Sequence, residues 1–131
     1  MASVSNAVSN VLLSLNSKKS VRDEVLGTEF SLAGVTFNDA QSLLAKVDSR
    51  WEATLVREPK NPHDPNAVAV HVKRPKTDDY YWKHIGYIPK KLSPSVASLL
   101  DGGQEINISI KRVIGGNGQN YGIVVELCRG N

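Results

Sequence analysis

Apolar and polar residues alternate in short runs along most of the chain, and proline, glycine and asparagine interrupt them. That rhythm predicts strands of a few residues each, joined by turns. Phe30 and Leu32, followed by Gly34-Val35, predict a first strand. Phe37-Asn38-Asp39 ends it, with Asn38 or Asp39 as the cap of a short helix that buries Leu43, Leu44 and Val47. Trp51, Ala53 and Leu55 alternate with Glu52, Thr54 and Val56, a second strand. Ala67-Val68-Ala69-Val70-His71-Val72 is a β-branched third, and Ile85-Gly86-Tyr87-Ile88 is a fourth that stops at Pro89. Ser93-Pro94 sets a capping hydroxyl before a proline suited to the first helical turn, and the helix runs through Val96, Leu99 and Leu100 to Gly102-Gly103. Ile106, Ile108 and Ile110 alternate on a fifth strand, residues 115–120 read as a flexible hairpin connection, and Tyr121 to Leu127 forms the sixth.

Six short strands with two short helices and no repeat give a mainly β chain, and a small closed or partly open barrel removes so many strand edges most simply. This barrel domain is expected over residues 29–128. Residues 1–28 read as an N-terminal arm, in which Val4, Val8, Val11, Leu12 and Leu15 recur at helical spacing. The arm is expected either to order against the domain or to pair with a second copy as a homodimer.

Composition narrows the class. The chain has 131 residues, enough to bury its own core, and one cysteine, Cys128, which leaves no disulfide framework or four-cysteine zinc site. A reducing, cytoplasmic setting is the expectation. No apolar run approaches the roughly 20 residues of a membrane span, and Met1-Ala2-Ser3-Val4 opens without the basic region of a secretory signal. The net charge of +3 is unevenly placed: residues 50–91 hold nine Lys/Arg against five Asp/Glu. A basic stretch flanked by near-neutral ones suits a polyanion partner or a solvated surface equally.

The most distinctive segment is Arg57-Glu58-Pro59-Lys60-Asn61-Pro62-His63-Asp64-Pro65-Asn66. Three prolines fix φ, and Asn61, Asp64 and Asn66 can bond nearby backbone groups, so a rigid polar loop joins two strands. Such a loop either ties itself together or presents amides and N–H groups to a phosphate or base. His63-Asp64 superficially resembles a phosphohydrolase metal dipeptide, but no further spaced ligands, HExxH or CxxC accompany it. No metal or cofactor is expected. There is no G-x-S-x-G elbow and no GxxxxGK[ST], so neither a hydrolase nucleophile nor a motor is written in the chain. Lys73-Arg74-Pro75-Lys76 leads into Tyr80-Tyr81-Trp82-Lys83, where cations and aromatics interleave; packing of Tyr81 or Trp82 on the barrel is the reading slightly preferred over base stacking. Arg57, Lys60, Lys90 and Lys91 are the cations that DNA binding would need to bring together.

Four ordered segments carry a resemblance. They are Ala33-Gly34-Val35-Thr36-Phe37, the loop with its following strand from Val56 to Val70, Ile85-Gly86-Tyr87-Ile88-Pro89-Lys90, and Tyr121-Gly122-Ile123-Val124-Val125-Glu126-Leu127. Together, over residues 29–127, they resemble the HIRAN domain, a module found in helicase-like remodelling and repair ATPases and as small standalone bacterial or phage proteins. The resemblance implies an OB-like six-stranded β-barrel with two short helices that binds single-stranded DNA, notably its 3′-hydroxyl end. It assigns the pocket to Asn61-Pro62-His63-Asp64, to Thr36 and Phe37 after the first-strand glycine, and to Tyr87 and Lys90. His63 stands where the family usually has tyrosine, and Thr36-Phe37-Asn38 where the eukaryotic end-binder has a cationic and aromatic run.

The expected function is therefore a noncatalytic module for single-stranded DNA or DNA 3′ ends, accessory to replication, repair or restriction machinery. Its expected contacts are Thr36, Phe37, Arg57, Asn61, His63, Asp64, Asn66, Tyr87, Lys90 and Lys91, and its expected protein partner is a helicase or nuclease. The rival readings are a protein-interaction adaptor that kept the fold without the pocket, and a metal-dependent phosphoesterase using His63 and Asp64.

Overall fold

The alternating isoleucines and valines fold into two sheets whose apolar faces meet. The computed structural model describes residues 25–76 and 81–130, apart from the side chain of Asn38. In chain order the elements are β1 (Glu29–Ser31), α1 (Asn38–Leu44), β2 (Glu52–Arg57), β3 (Val68–Lys73), β4 (Lys83–Tyr87), α2 (Ser93–Asp101), β5 (Ile106–Gly116) and β6 (Gln119–Arg129). One antiparallel sheet has the order β1-β6-β5 and the other β2-β3-β4. Period two puts Ile106, Ile108 and Ile110 of β5, Ile123, Val125 and Leu127 of β6, and Val68, Val70 and Val72 of β3 into one buried cluster. Ala40 and Leu44 of α1, and Val96 and Ala97 of α2, close its ends. Each fully buried aliphatic side chain contributes about 1.5–3 kcal/mol, so this cluster is what holds the sheets together.

The six strands and two helices match the sequence pattern, but the closed barrel does not form. Among the described residues β2 lies against β5 without a shared ladder. The opposite side is joined by one bridge, Ala33 with Tyr87. A closed barrel needs a continuous ladder across both joins, and here the first has none while, among the described residues, the second is held only by the chain leaving β1. The three residues of β1 pair with β6 through Phe30 and Val125. Leu32 N still donates to Ile123 O at 3.1 Å, and the chain then crosses to the other sheet, where Ala33 and Tyr87 exchange bonds of 2.8 and 2.9 Å. Gly34, at φ 65°, turns the chain away immediately afterwards. A strand that changes sheets within five residues makes a seam rather than a barrel wall.

Three local expectations are also corrected. The cap position of α1 is Phe37, which makes no side-chain capping bond, and Asp39 lies within the first turn. Gln41 secures this corner instead: its side-chain amide donates to Val35 O (2.7 Å) and Tyr121 O (2.9 Å), and its oxygen accepts from Tyr121 N (2.7 Å). Ser93 is the first residue of α2 rather than its cap, which is Leu92. Residues 115–120 do form the expected hairpin connection, but pairing runs to Gly116 and resumes at Gln119, so it is a tight turn in which Asn117 and Gly118 at φ 54° and 89° have the type I′ geometry that matches the strand twist. Of the expected arm, residues 1–24 lie outside the described residues. Val25 is already buried in the core, and Leu26 bridges Leu127.

Candidate nucleic-acid interface

The loop between β2 and β3 is organised by its own side chains. Glu58 N donates to Ala67 O (2.9 Å) at its base. Asn61 Oδ1 accepts from His63 N (2.8 Å) and Asp64 N (3.2 Å), and Asp64 Oδ1 accepts from Asn66 N (2.9 Å), so two successive Asx turns replace a regular ladder. Asn61 Nδ2 donates to Glu58 Oε1 (2.9 Å). Arg57 clamps the loop from below, donating to Pro65 O (2.8 Å) and Ala67 O (3.2 Å) and pairing in two-pronged fashion with Asp101 of α2 (3.0 and 3.1 Å). The buried Ser93 hydroxyl reaches Asp64 Oδ2 (3.1 Å) and Lys90 O (3.2 Å), which ties the loop to the start of α2.

Against this loop lies Tyr87, positioned by the seam. A bulge between β3 and β4 pairs Val70 with Gly86 and His71 with His84, leaving Ile85 as the extra residue. An extra residue shifts the alternation of faces by one. Ile85 and Gly86 are therefore both buried, while His84 and Tyr87, three apart, meet edge to face at 4.9 Å. The Phe37 ring stacks on His84 at 5.5 Å and 15°, and His71 meets His84 edge to face at 5.5 Å. His84 Nε2 is buried without a hydrogen-bond partner among the described residues. Tyr87 OH donates to Glu58 Oε1 (3.0 Å). Burial, with this bond to Glu58, raises the phenol above its ordinary range, so it stays protonated as a donor.

A pocket of about 190 Å³ opens between loop and strand, lined by Asn61, His63, Asp64, Tyr87, Ile88 and Lys90, with Ala67 at its floor. Five of the sequence-expected residues thus converge: Asn61, His63, Asp64, Tyr87 and Lys90. Phe37 joins them through His84 and is 40% exposed. Thr36 and Lys91 are exposed and do not line the pocket. Arg57 faces Asp101 and the loop carbonyls, and Asn66 contributes its backbone N–H to the turn. Of the four cations expected to converge, Lys90 is the one that lines the pocket.

Glu58, Ser93 and His84 were not among the expected site residues. Glu58 orients both Tyr87 and Asn61, yet it reads in the chain as an ordinary strand-end acid. Ser93 reads in the chain as a helix cap, and the fold turns its hydroxyl to Asp64. His84 is brought beside Tyr87 only by the bulge. Burial, then the neighbouring His84, lowers the His71 pKa below the ordinary histidine value near 6.5. His71 therefore folds as the neutral imidazole, and the unfolded chain binds the extra proton. Stability is expected to be fully present above pH 6.5 and to decline as pH falls below it, read as a drop in urea midpoint between pH 7.5 and 5.5. His71→Gln should flatten that dependence.

Among the described residues no helix is long and apolar enough to cross a membrane, and no three His, Cys, Asp or Glu side chains group as metal ligands. In comparison with known proteins, the family model for the HIRAN domain matches residues 25–126. No curated protein and no solved structure gives a match.

Proposed function

The chain belongs to the HIRAN domain family, a family of DNA-binding modules, and from this we propose that it is a noncatalytic module that holds the 3′ end of single-stranded DNA. The observation that carries the proposal is the convergence of Asp64, Tyr87 and Lys90 around one small pocket. A pocket of about 190 Å³ suits a single terminal group.

The chemistry follows from the partners already present. Asp64 accepts one bond at each oxygen, from Asn66 N and from Ser93 Oγ. An ionised carboxylate offers about four acceptor sites, so capacity for a terminal hydroxyl remains. A terminal phosphate would bring like charge against the same carboxylate and is disfavoured. Tyr87 supplies a ring face to the last nucleotide, His63 a smaller one, and Lys90 a cation for the preceding phosphate. Such a module would work beside a helicase or nuclease in replication, repair or restriction.

Fluorescence anisotropy on 3′-hydroxyl and 3′-phosphate oligonucleotides tests this. Wild-type protein should prefer the hydroxyl end. Asp64→Asn keeps an acceptor for Asn66 N and removes the charge, so it should erase the preference with little change in melting temperature. Tyr87→Ala should weaken both ends alike, by about 1–3 kcal/mol if the ring stacks on a base. Equal binding of both ends by wild-type protein would refute end recognition. The exposure of Phe37, Tyr81, Trp82 and Ile114 gives the adaptor reading its footing. That reading takes over if no oligonucleotide binds at low salt.

A further inference from the structure

Beyond the Asp64 pocket the same face carries a second, larger feature. A cleft of about 610 Å³ is walled by Phe37, Asp39, Leu43, Lys46, Lys83 and His84. A smaller one of about 140 Å³ shares Leu43, Lys46 and Lys83 with it and continues past Trp51, Lys73, Arg74 and Tyr81. Lys46, Lys73, Arg74 and Lys83 thus stand against Asp39 as the single acid among the described lining residues. Three of the four large apolar side chains exposed among the described residues lie on this stretch: Phe37, Tyr81 at 78% and Trp82 at 39%. Cations lie over the indole rings, Lys73 Nζ 5.7 Å from Trp82 and the Arg74 guanidinium 5.4 Å from Trp51.

A buried core would take these aromatics out of water, and an apolar partner would not need four cations beside them. Exposed rings alternating with cations match a ligand that is polyanionic along its length and carries flat apolar groups, which is a single nucleic-acid strand. The cleft also connects to the Asp64 pocket. Tyr87 lines that pocket, His84 and Phe37 line the cleft, and the three rings are in contact in that order.

We infer that this cleft is the track for the body of the strand, holding the nucleotides that lie 5′ of the terminal one. The placement of the terminus rests on the proposed end pocket; the cleft as a strand-binding surface does not. Phosphates run along Lys46, Lys83, Lys73 and Arg74, and bases lie on Phe37, Tyr81 and Trp82. Affinity therefore comes mainly from the cleft and depends on salt, whereas discrimination between ends comes from Asp64.

The test uses a thymidine decamer with a 3′-hydroxyl or 3′-phosphate, titrated across a salt series, with wild-type protein and Lys46→Glu/Arg74→Glu. The neutral pair Lys46→Gln/Arg74→Gln serves if charge reversal disturbs the melting temperature. Affinity should fall about tenfold and the logarithmic salt slope should shrink by roughly 1.4, two contacts on a single strand. The ratio between the two ends should survive. Unchanged affinity and slope in both pairs would overturn the track while leaving end recognition standing. Loss of affinity in a protein that never distinguished the ends would support the track and remove the end pocket. Failure of wild-type protein to bind the decamer at low salt would overturn both.

Discussion

Gly86→Ala is expected to destabilise the protein by about 3 kcal/mol or more and to dismantle the candidate pocket at the same time. A Cβ at residue 86 would stand 2.7 Å from Ala33 O and 2.7 Å from Val35 Cγ1, with Leu32 Cβ at 3.5 Å. Neither close neighbour can yield cheaply. Ala33 O accepts the bond from Tyr87 N that joins the two sheets, and Val35 is packed in the core. The added methyl must push the seam apart, and Tyr87, the next residue, moves with it. Urea denaturation should show a lower midpoint with an unchanged slope, and DNA affinity of the folded fraction should fall. A midpoint equal to wild type would mean that β4 does not approach residues 32–35 as closely as described.

Leu127→Ala should cost about 2–5 kcal/mol, whereas Leu55→Ala should fall below that range. Leu127 is fully buried, faces Ile108 across the ladder, and accepts the bond from Gly27 N (2.7 Å). Truncation leaves a cavity whose walls, β5 and the segment from Val25 to Gly27, are fixed by backbone bonds and cannot collapse into it. Leu55 is half-buried on β2, an outer strand of its sheet, and packs on the edge of the cluster. Its site can relax toward solvent. Equal losses at the two positions would place the centre of the core under β2 instead of between β3 and β6.

The two positions also show how far the linear pattern reaches. Alternation in Ile106-Asn107-Ile108-Ser109-Ile110 and in Val68-Ala69-Val70-His71-Val72 specifies which side chains turn inward, because a strand has period two whatever it pairs with. Alternation in Trp51-Glu52-Ala53-Thr54-Leu55 reads the same, yet β2 is an outer strand and its inward residues are only half-buried. Depth depends on what covers a strand, and a strand's own residues do not encode its neighbours.

For the site the division is similar. The rigid polar loop, its three prolines and the asparagine and aspartate turns are local properties, and they form as the residues 59–66 dictate. The succession of strands along the chain and the family were legible in the sequence, and it is the resemblance that assigned Asn61, His63, Asp64, Tyr87 and Lys90 to one pocket. Three things were decided by tertiary structure alone. Arg57 is expected among the DNA contacts, and the fold pairs its guanidinium with Asp101, 44 residues away. His84 entered the site because a bulge opposite Val70 and His71 shifted the face of β4. The barrel opened into two sheets because β2 and β5 meet without a ladder and, among the described residues, the other side is held by the bridge of Ala33 with Tyr87. Each of these depends on contacts between segments far apart in sequence. A residue's own chemistry says which partners it can accept, and only the packed chain settles which of them it meets.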